Sequence, residues 1–251
     1  MKRLGDGRAM VNLGSSARVA DGWNNVDSSW LFRLARHRHL ARLLHGLGLL
    51  SAPRWDRICK LGNNFVLYDI VQGIPYDDAS FDVVYHSHLL EHIDREGAEG
   101  FLIECRRVLK PTGVLRIVVP DLELLARRYV GLLDGPVPDR ASRLLAAASD
   151  LFDQMVNRTP RYRRQQKWIV RMAESALIGN TARAGVIHRW MYDRFTLEEV
   201  LRRAGFIDVT VCSAHTSRIE GWNTFGLDTE PDGSAYKAHS LYMEAVRPAE
   251  S

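Results

Sequence analysis

Cysteine is scarce in this chain, and its three copies (Cys59, Cys105 and Cys212) stand far apart with no CxxC spacing. That excludes a disulfide framework and a cysteine-based zinc site, and it predicts reduced thiols in a cytosol. No run approaches the roughly twenty apolar residues of a membrane span. Met1-Lys2-Arg3 leads into Leu4-Gly5-Asp6-Gly7 rather than into the apolar core of a signal peptide, so a cytoplasmic location is the expectation. Without a secretion signal, the sequon Asn157-Arg158-Thr159 is coincidence. Lysine is also rare: five of the 34 basic residues, the others being arginine. Arginine forks suit phosphate and carboxylate recognition, and they serve equally on solvated helix faces. A net charge of +4 does not by itself indicate nucleic acid. There is no internal repeat and no low-complexity tract.

What is present is ordinary for a globular enzyme: 46% hydrophobic and 25% charged residues over 251 positions. That length accommodates one α/β domain with insertions, or at most two small domains. The chain is organised around FDVVYHSHLLEHIDREGAEGFLIECRRVLKPTGVLRIVVPDLE, residues 81–123. The β-branched and aromatic run Phe81–Tyr85 reads as a strand. Phe101, Leu102, Cys105, Val108 and Leu109 share one helical face. Lys110-Pro111-Thr112-Gly113 breaks the helix, and Val114–Val119 reads as a strand buried on both faces. Strand, helix and buried strand make a parallel βαβ unit.

FDVVYHSHLLEHI followed by ECRRVLKPTGVLRIVVPDLE resembles the central and late motifs of class I S-adenosylmethionine-dependent methyltransferases. More narrowly, it is similar to a bacterial branch predicted to act in sugar or cell-envelope metabolism. The resemblance implies a Rossmann-like, doubly wound, seven-stranded, mostly parallel sheet with the last strand antiparallel, and S-adenosylmethionine as cofactor. One domain over residues 1–251 is expected, with helical insertions at 28–60 and 122–190, the second between strands 5 and 6 and shaping the substrate pocket.

Met10–Leu13 reads as a buried strand running into Gly14-Ser15-Ser16, small residues that let backbone approach a ligand. In a doubly wound sheet this loop lies at the switch point where cofactor binds. The resemblance assigns Asn12, Gly14, Ser15 and Ser16 to the cofactor, the family's last glycine being either replaced by Ser16 or absent here. GWNNVD then looks like a turn and a second strand ending in Asp27, expected to accept from ribose hydroxyls; a helix N-cap is its other reading. The crossover from Gly14 to Asp27 is too short for a full helix, so a loop or a single turn is predicted. Phe65–Asp69 reads as a third strand, after which Asp69 and Ile70 are expected to meet the adenine.

Trp30–Leu50 reads as an amphipathic helix, with Leu31, Leu34, Ala35, Leu40, Leu43, Leu44 and Leu47 opposite Arg33, Arg36, Arg38 and Arg42. It either covers the sheet or cofactor, or touches anionic lipid or a lipid-linked substrate. Helical spacing recurs at Leu122–Leu133, Ala141–Met155 and Arg161–Ile178. Thr196 and Glu199 are placed as a capping box, with Gly205 past the helix end. Ile207–Cys212 and Ser240–Val246 are the final antiparallel pair. Trp222–Gly233 reads as a loop beside the last strand that closes over substrate.

Methyl transfer to a hydroxyl needs alignment and a base, and histidine titrates nearest neutrality. The candidates are His86, His88, His188 in HRWMYD, and His239. The resemblance places His86 and Ser87 along the cofactor; His188 is the expected base and His88 the alternative, each also readable as a structural histidine. His88-Leu89-Leu90-Glu91-His92 matches the HxxEH signature of inverted zinc peptidases. With no third ligand evident it is set aside, and no metal is expected, a magnesium at Glu91 and His92 being the minor alternative. The leading reading is an O-methyltransferase acting on a saccharide or glycosylated small molecule. An RNA methyltransferase and a non-catalytic scaffold of the same fold are the alternatives. Small-molecule or glycan partners are expected and nucleic acid is not, with membrane contact and oligomerisation left open.

Overall fold

The computed structural model describes residues 1–16, 18–61, 65–134, 138–155 and 188–249. Its strands are β1 (Met10–Leu13), β2 (Asn24–Asp27), β3 (Val66–Leu67), β4 (Phe81–Ser87), β5 (Leu109–Pro120), β6 (Ile207–Cys212) and β7 (Ser240–Val246). They form one seven-stranded sheet in the order β3-β2-β1-β4-β5-β7-β6. All neighbours are parallel except β7, which runs antiparallel to both β5 and β6. The order reverses between β1 and β4, so a crevice opens at the carboxyl ends of those two strands, where such sheets bind ligands. This is the doubly wound, Rossmann-like fold expected above.

The helices among the described residues are α1 (Trp30–Ala35), α2 (Arg38–Gly46), α3 (Ala52–Leu61), α4 (Arg95–Val108), α5 (Leu122–Gly131), α6 (Arg140–Met155) and α7 (Arg194–Arg203). The face of α4 made by Ala98, Phe101, Leu102, Cys105 and Val108 is buried against the sheet beside Leu197 and Leu201 of α7. Asp94 caps α4 by accepting from the N–H of Gly97. β1 reaches β2 with no helix between them among the described residues, in keeping with the compressed crossover. None of the described helices is long and apolar enough to cross a membrane.

Several local expectations change. The single helix over Trp30–Leu50 is instead α1 and α2, broken at Arg36-His37, because the inward residues fold back on a small core of their own. Leu31, Phe32, Ala35, Ala41 and Leu50 pack there with Ile58 and Leu61 of α3. This leaves Leu40, Leu43 and Leu47 exposed. Helix α4 ends at Val108, and Lys110–Gly113 belongs to β5 with Thr112 in the left-handed region at φ 62°. The cap of α7 is Asp193, whose carboxylate accepts from the N–H groups of Phe195 and Thr196 while Thr196 Oγ1 accepts from the N–H of Asp193. It therefore starts earlier than a Thr196–Glu199 box allows. Strand β3 covers only Val66–Leu67. Helices α5 and α6 fall at the start of the stretch 122–190 that was expected to be an insertion, whereas the expected helix Arg161–Ile178 and the sequon at Asn157 lie outside the described residues.

Trp222–Gly233 is not a free flap at its sheet-facing end. Asp228 is buried and accepts from Tyr85 Oη at 2.6 Å, Arg116 Nε at 2.8 Å and Trp222 Nε1 at 3.1 Å. Arg116, fully buried on β5, also donates to Glu244 Oε1 of β7 at 2.7 Å and stacks near the Trp222 ring. The loop is thus anchored to the sheet through one guanidinium shared by two carboxylates.

Candidate active site

The crevice begins with the loop after β1. Gly14 has φ 62° and Ser16 has φ 47°, so the loop takes two left-handed residues even though its second is a serine. Such a conformation costs a non-glycine residue roughly 1–2 kcal/mol. Asp27, at the end of β2, holds the loop in that shape. Its Oδ2 accepts from the N–H of Ser16 at 2.8 Å, and its Oδ1 from the N–H of Ser29 at 2.7 Å. A carboxylate has about four acceptor sites, so two remain for ligand hydroxyls. The Ser15 hydroxyl is buried with no hydrogen-bond partner. A Cβ on Gly14 would lie 2.8 Å from Leu89 Cδ1, which locks the loop to the segment after β4.

That segment carries the second half of the site. His88 turns the chain sharply, at φ 51°, and the 3₁₀ turn Leu90–His92 follows. Glu91 is completely buried, and neither of its carboxylate oxygens makes a hydrogen bond of good geometry. Around it stand imidazoles: His88 Nδ1 is 3.1 Å and His188 Nε2 3.9 Å from Oε1. The rings of His92 and His188 meet edge to face at 4.8 Å. His188 arrives from a distant part of the chain because the backbone carbonyl of Glu91 accepts from the N–H groups of Arg189 at 2.6 Å and Trp190 at 3.3 Å. The same HRWMYD stretch bridges from Tyr192 to Asp121 at the end of β5, burying Tyr192 with its hydroxyl unpartnered.

Burial sets the charge states. It pulls His88 below the ordinary imidazole range, although the neighbouring Glu91 opposes the shift. It pushes the Glu91 carboxyl up, but contact with His88 and the charge of His92 outweigh it and leave the group low. Burial together with the Glu91 charge moves Tyr192 up to about 12. The result is a buried carboxylate flanked by imidazoles, beside the crevice that starts at Gly14.

Residues 52–117 match the family described as "Methyltransferase domain". The match spans α3 to the middle of β5, so it takes in Glu91 and His92 but stops short of Gly14, Asp27 and His188. Comparison with curated protein sequences gives no match. Among solved structures, the chain is similar to a protein assigned as a methyltransferase in complex with the Haloferax volcanii Trm112 methyltransferase activator. There the identity is 13%, the coverage 100% of this chain and 85% of that one, and the TM-score 0.46. It is also similar to an S-adenosylmethionine-dependent methyltransferase from Aquifex aeolicus, at 14% identity, 95% and 81% coverage and TM-score 0.43. A third, from Thermotoga maritima, stands at 14% identity, 96% and 82% coverage and TM-score 0.44.

The structure brings Gly14, Ser15, Ser16 and Asp27 together at one end of the sheet, with His88 and His188 converging on Glu91. Asp69 and Ile70 follow β3 on the same end, Asp69 exposed and Ile70 turned into the core. Two expected cofactor residues sit differently. Asn12 is buried and donates to the carbonyl of Arg18 at 2.7 Å, so it shapes the loop from beneath. His86 is wholly enclosed in the sheet interior, edge-on to Phe101, because β4 is central and buried on both faces; Ser87, one residue on, is partly exposed. His239 is exposed and serves through its carbonyl, which accepts from the N–H of Asp121. The HxxEH pair is not realised on a helix, since the turn at His88 separates the two histidines. Sequence reasoning weighed Glu91 with His88 and His92 but missed that His188 joins them, since nothing local in the sequence pairs residues so far apart.

Proposed function

We propose that this chain is an S-adenosylmethionine-dependent methyltransferase that methylates a hydroxyl of a saccharide or glycosylated small molecule. The observation that carries this reading is the adjacency of the Asp27-braced glycine loop and the histidine-flanked Glu91, joined where Gly14 closes on Leu89. The loop fits the nucleoside end of the cofactor: its backbone is tightly turned at Gly14 and Ser16, the Ser15 hydroxyl is unpartnered, and Asp27 keeps acceptor capacity for ribose hydroxyls. The bound cofactor supplies an electrophilic methyl group. The chain's part is to hold a hydroxyl in line with that methyl and to take its proton. His188 is the residue assigned that proton, with His88 as the alternative; both are held within ion-pair range of Glu91. The saccharide rests on the branch resemblance of the 81–123 block.

A second feature favours an acceptor at a membrane surface. Leu40, Leu43 and Leu47 are exposed next to Arg38 and Arg42, a combination that suits anionic lipid or a lipid-linked sugar.

The test is transfer of labelled methyl from S-adenosylmethionine to a panel of glycans and glycosylated metabolites. Methylation of a sugar hydroxyl that falls at least about a hundredfold in both His188→Ala and His88→Ala is expected, the scale on which a positioned base acts. Transfer to nitrogen or to RNA alone would overturn the acceptor assignment.

A further inference from the structure

We infer that Glu91, His92 and His188 form a binding site for a divalent transition-metal ion, zinc by the chemistry of its ligands. Their donor atoms lie within 4.8 Å of one another, and Glu91 Oε1 is 3.9 Å from His188 Nε2. Zinc bonds of about 2.0–2.2 Å to nitrogen and oxygen set tetrahedral ligand atoms about 3.4 Å apart. The set therefore closes on an ion by side-chain movements of about 1 Å. Two imidazoles and a carboxylate are a recurrent catalytic zinc set, with further positions open to water or substrate.

The independent observation is Glu91 itself. A carboxylate with no solvent exposure and no well-formed hydrogen bond is expensive to bury. His88 lies only 3.1 Å from Oε1 but off the line of a good bond, and its Nε2 is engaged at 3.0 Å with Ser240 Oγ. A dication between Glu91, His92 and His188 supplies the missing partner. His88 then orients the carboxylate from outside the ligand set, as outer partners of metal ligands do. The arrangement also explains why HRWMYD is stitched by its backbone to the Glu91 carbonyl: those bonds deliver the third ligand.

Binding of the ion stands apart from the methyltransferase reading; only its role rests on it. In that role the ion holds the acceptor oxygen and lowers the pKa of its hydroxyl, and His88 replaces His188 as the imidazole nearest the leaving proton.

The experiment uses the full chain, stripped with a chelator and titrated with zinc in competition with a chromophoric chelator, and separately with cobalt(II) read by visible absorption. One zinc per chain is expected, with a cobalt spectrum free of thiolate charge-transfer bands. His92→Ala and His188→Ala should each weaken zinc by more than about tenfold, the loss that even an outer partner causes, while the exposed His239→Ala should bind as wild type. Folded wild type that takes up no zinc, a cobalt–thiolate band, or unchanged affinity in folded His92→Ala and His188→Ala would each overturn the site. Should the variants fail to fold, the wild-type stoichiometry and cobalt spectrum decide it alone. Calorimetry with S-adenosylmethionine on the stripped protein reads the methyltransferase proposal separately.

Discussion

Arg189 donates its backbone N–H to the backbone carbonyl of Glu91 at 2.6 Å, and this bond carries His188 to within 3.9 Å of a buried carboxylate that His88 also approaches, at 3.1 Å. Two segments far apart in sequence thereby make one site. Side chains at neither end of that bond are required for it, so the pairing is set by the fold rather than by a local motif.

Arg116 provides the clearest stability test. It is fully buried and pairs with Asp228 and Glu244, both also buried. Arg116→Met removes the cation shared by two enclosed carboxylates, leaving Glu244 its longer ion pair with Arg218 at 3.5 Å, and denaturant unfolding should show a loss of about 3–5 kcal/mol. A loss below about 0.5 kcal/mol, the scale of an ordinary surface change, would show that the pair is not formed.

Gly14 tests the join between the two halves of the crevice. Gly14→Ala places a Cβ 2.8 Å from Leu89 Cδ1 at φ 62°, so it should destabilise by about 1–2 kcal/mol from conformation alone and more from the clash. Adding Leu89→Ala should recover the clash part, giving a coupling free energy above about 0.5 kcal/mol in a double-mutant cycle. Additive losses would contradict the contact.

The sheet's topology was legible because β-branched runs, the α4 face and Gly205 all follow local rules; β6 and β7 take the residues expected of them. The tight loop after β1 was legible for the same reason, since small residues follow the first strand there and Gly14 takes a left-handed conformation; its contact with the cofactor is part of the proposal. What stayed hidden depends on long-range packing. Arg116 reads as one more arginine until Asp228 and Glu244 are placed on either side of it. His188 and Glu91 share no motif, and the break between α1 and α2 comes from a separate small core rather than from proline or glycine.

His86 gives the pH dependence. Burial lowers it to about 4 in the folded protein, against 6.5 when unfolded. The unfolded chain therefore binds the extra proton first as pH falls. Stability should be full above about pH 6.5 and decline between about 6.5 and 4, by about 3 kcal/mol in total from this residue. Both ring nitrogens lack partners, so His86→Leu should flatten that decline and leave stability at pH 7 equal or higher. Melts from pH 4.5 to 7.5 read both; an unaltered slope in the variant would contradict the assignment.

The surface of α2 predicts lipid behaviour. Leu40, Leu43 and Leu47 are 48%, 59% and 64% exposed. Wild type should sediment with vesicles containing phosphatidylglycerol and not with neutral ones, and Leu43→Asp combined with Leu47→Asp should abolish it. Equal sedimentation of the double variant would remove the membrane reading.

The central claim is tested most directly by calorimetric titration of wild type and Asp27→Asn with S-adenosylmethionine and S-adenosylhomocysteine. Asparagine keeps an acceptor for the loop but loses the charge and half the acceptor capacity. Micromolar binding by wild type, weakened about tenfold or more in the variant, the scale of one charged hydrogen bond, is the predicted result. A folded wild type that binds neither compound would contradict the account.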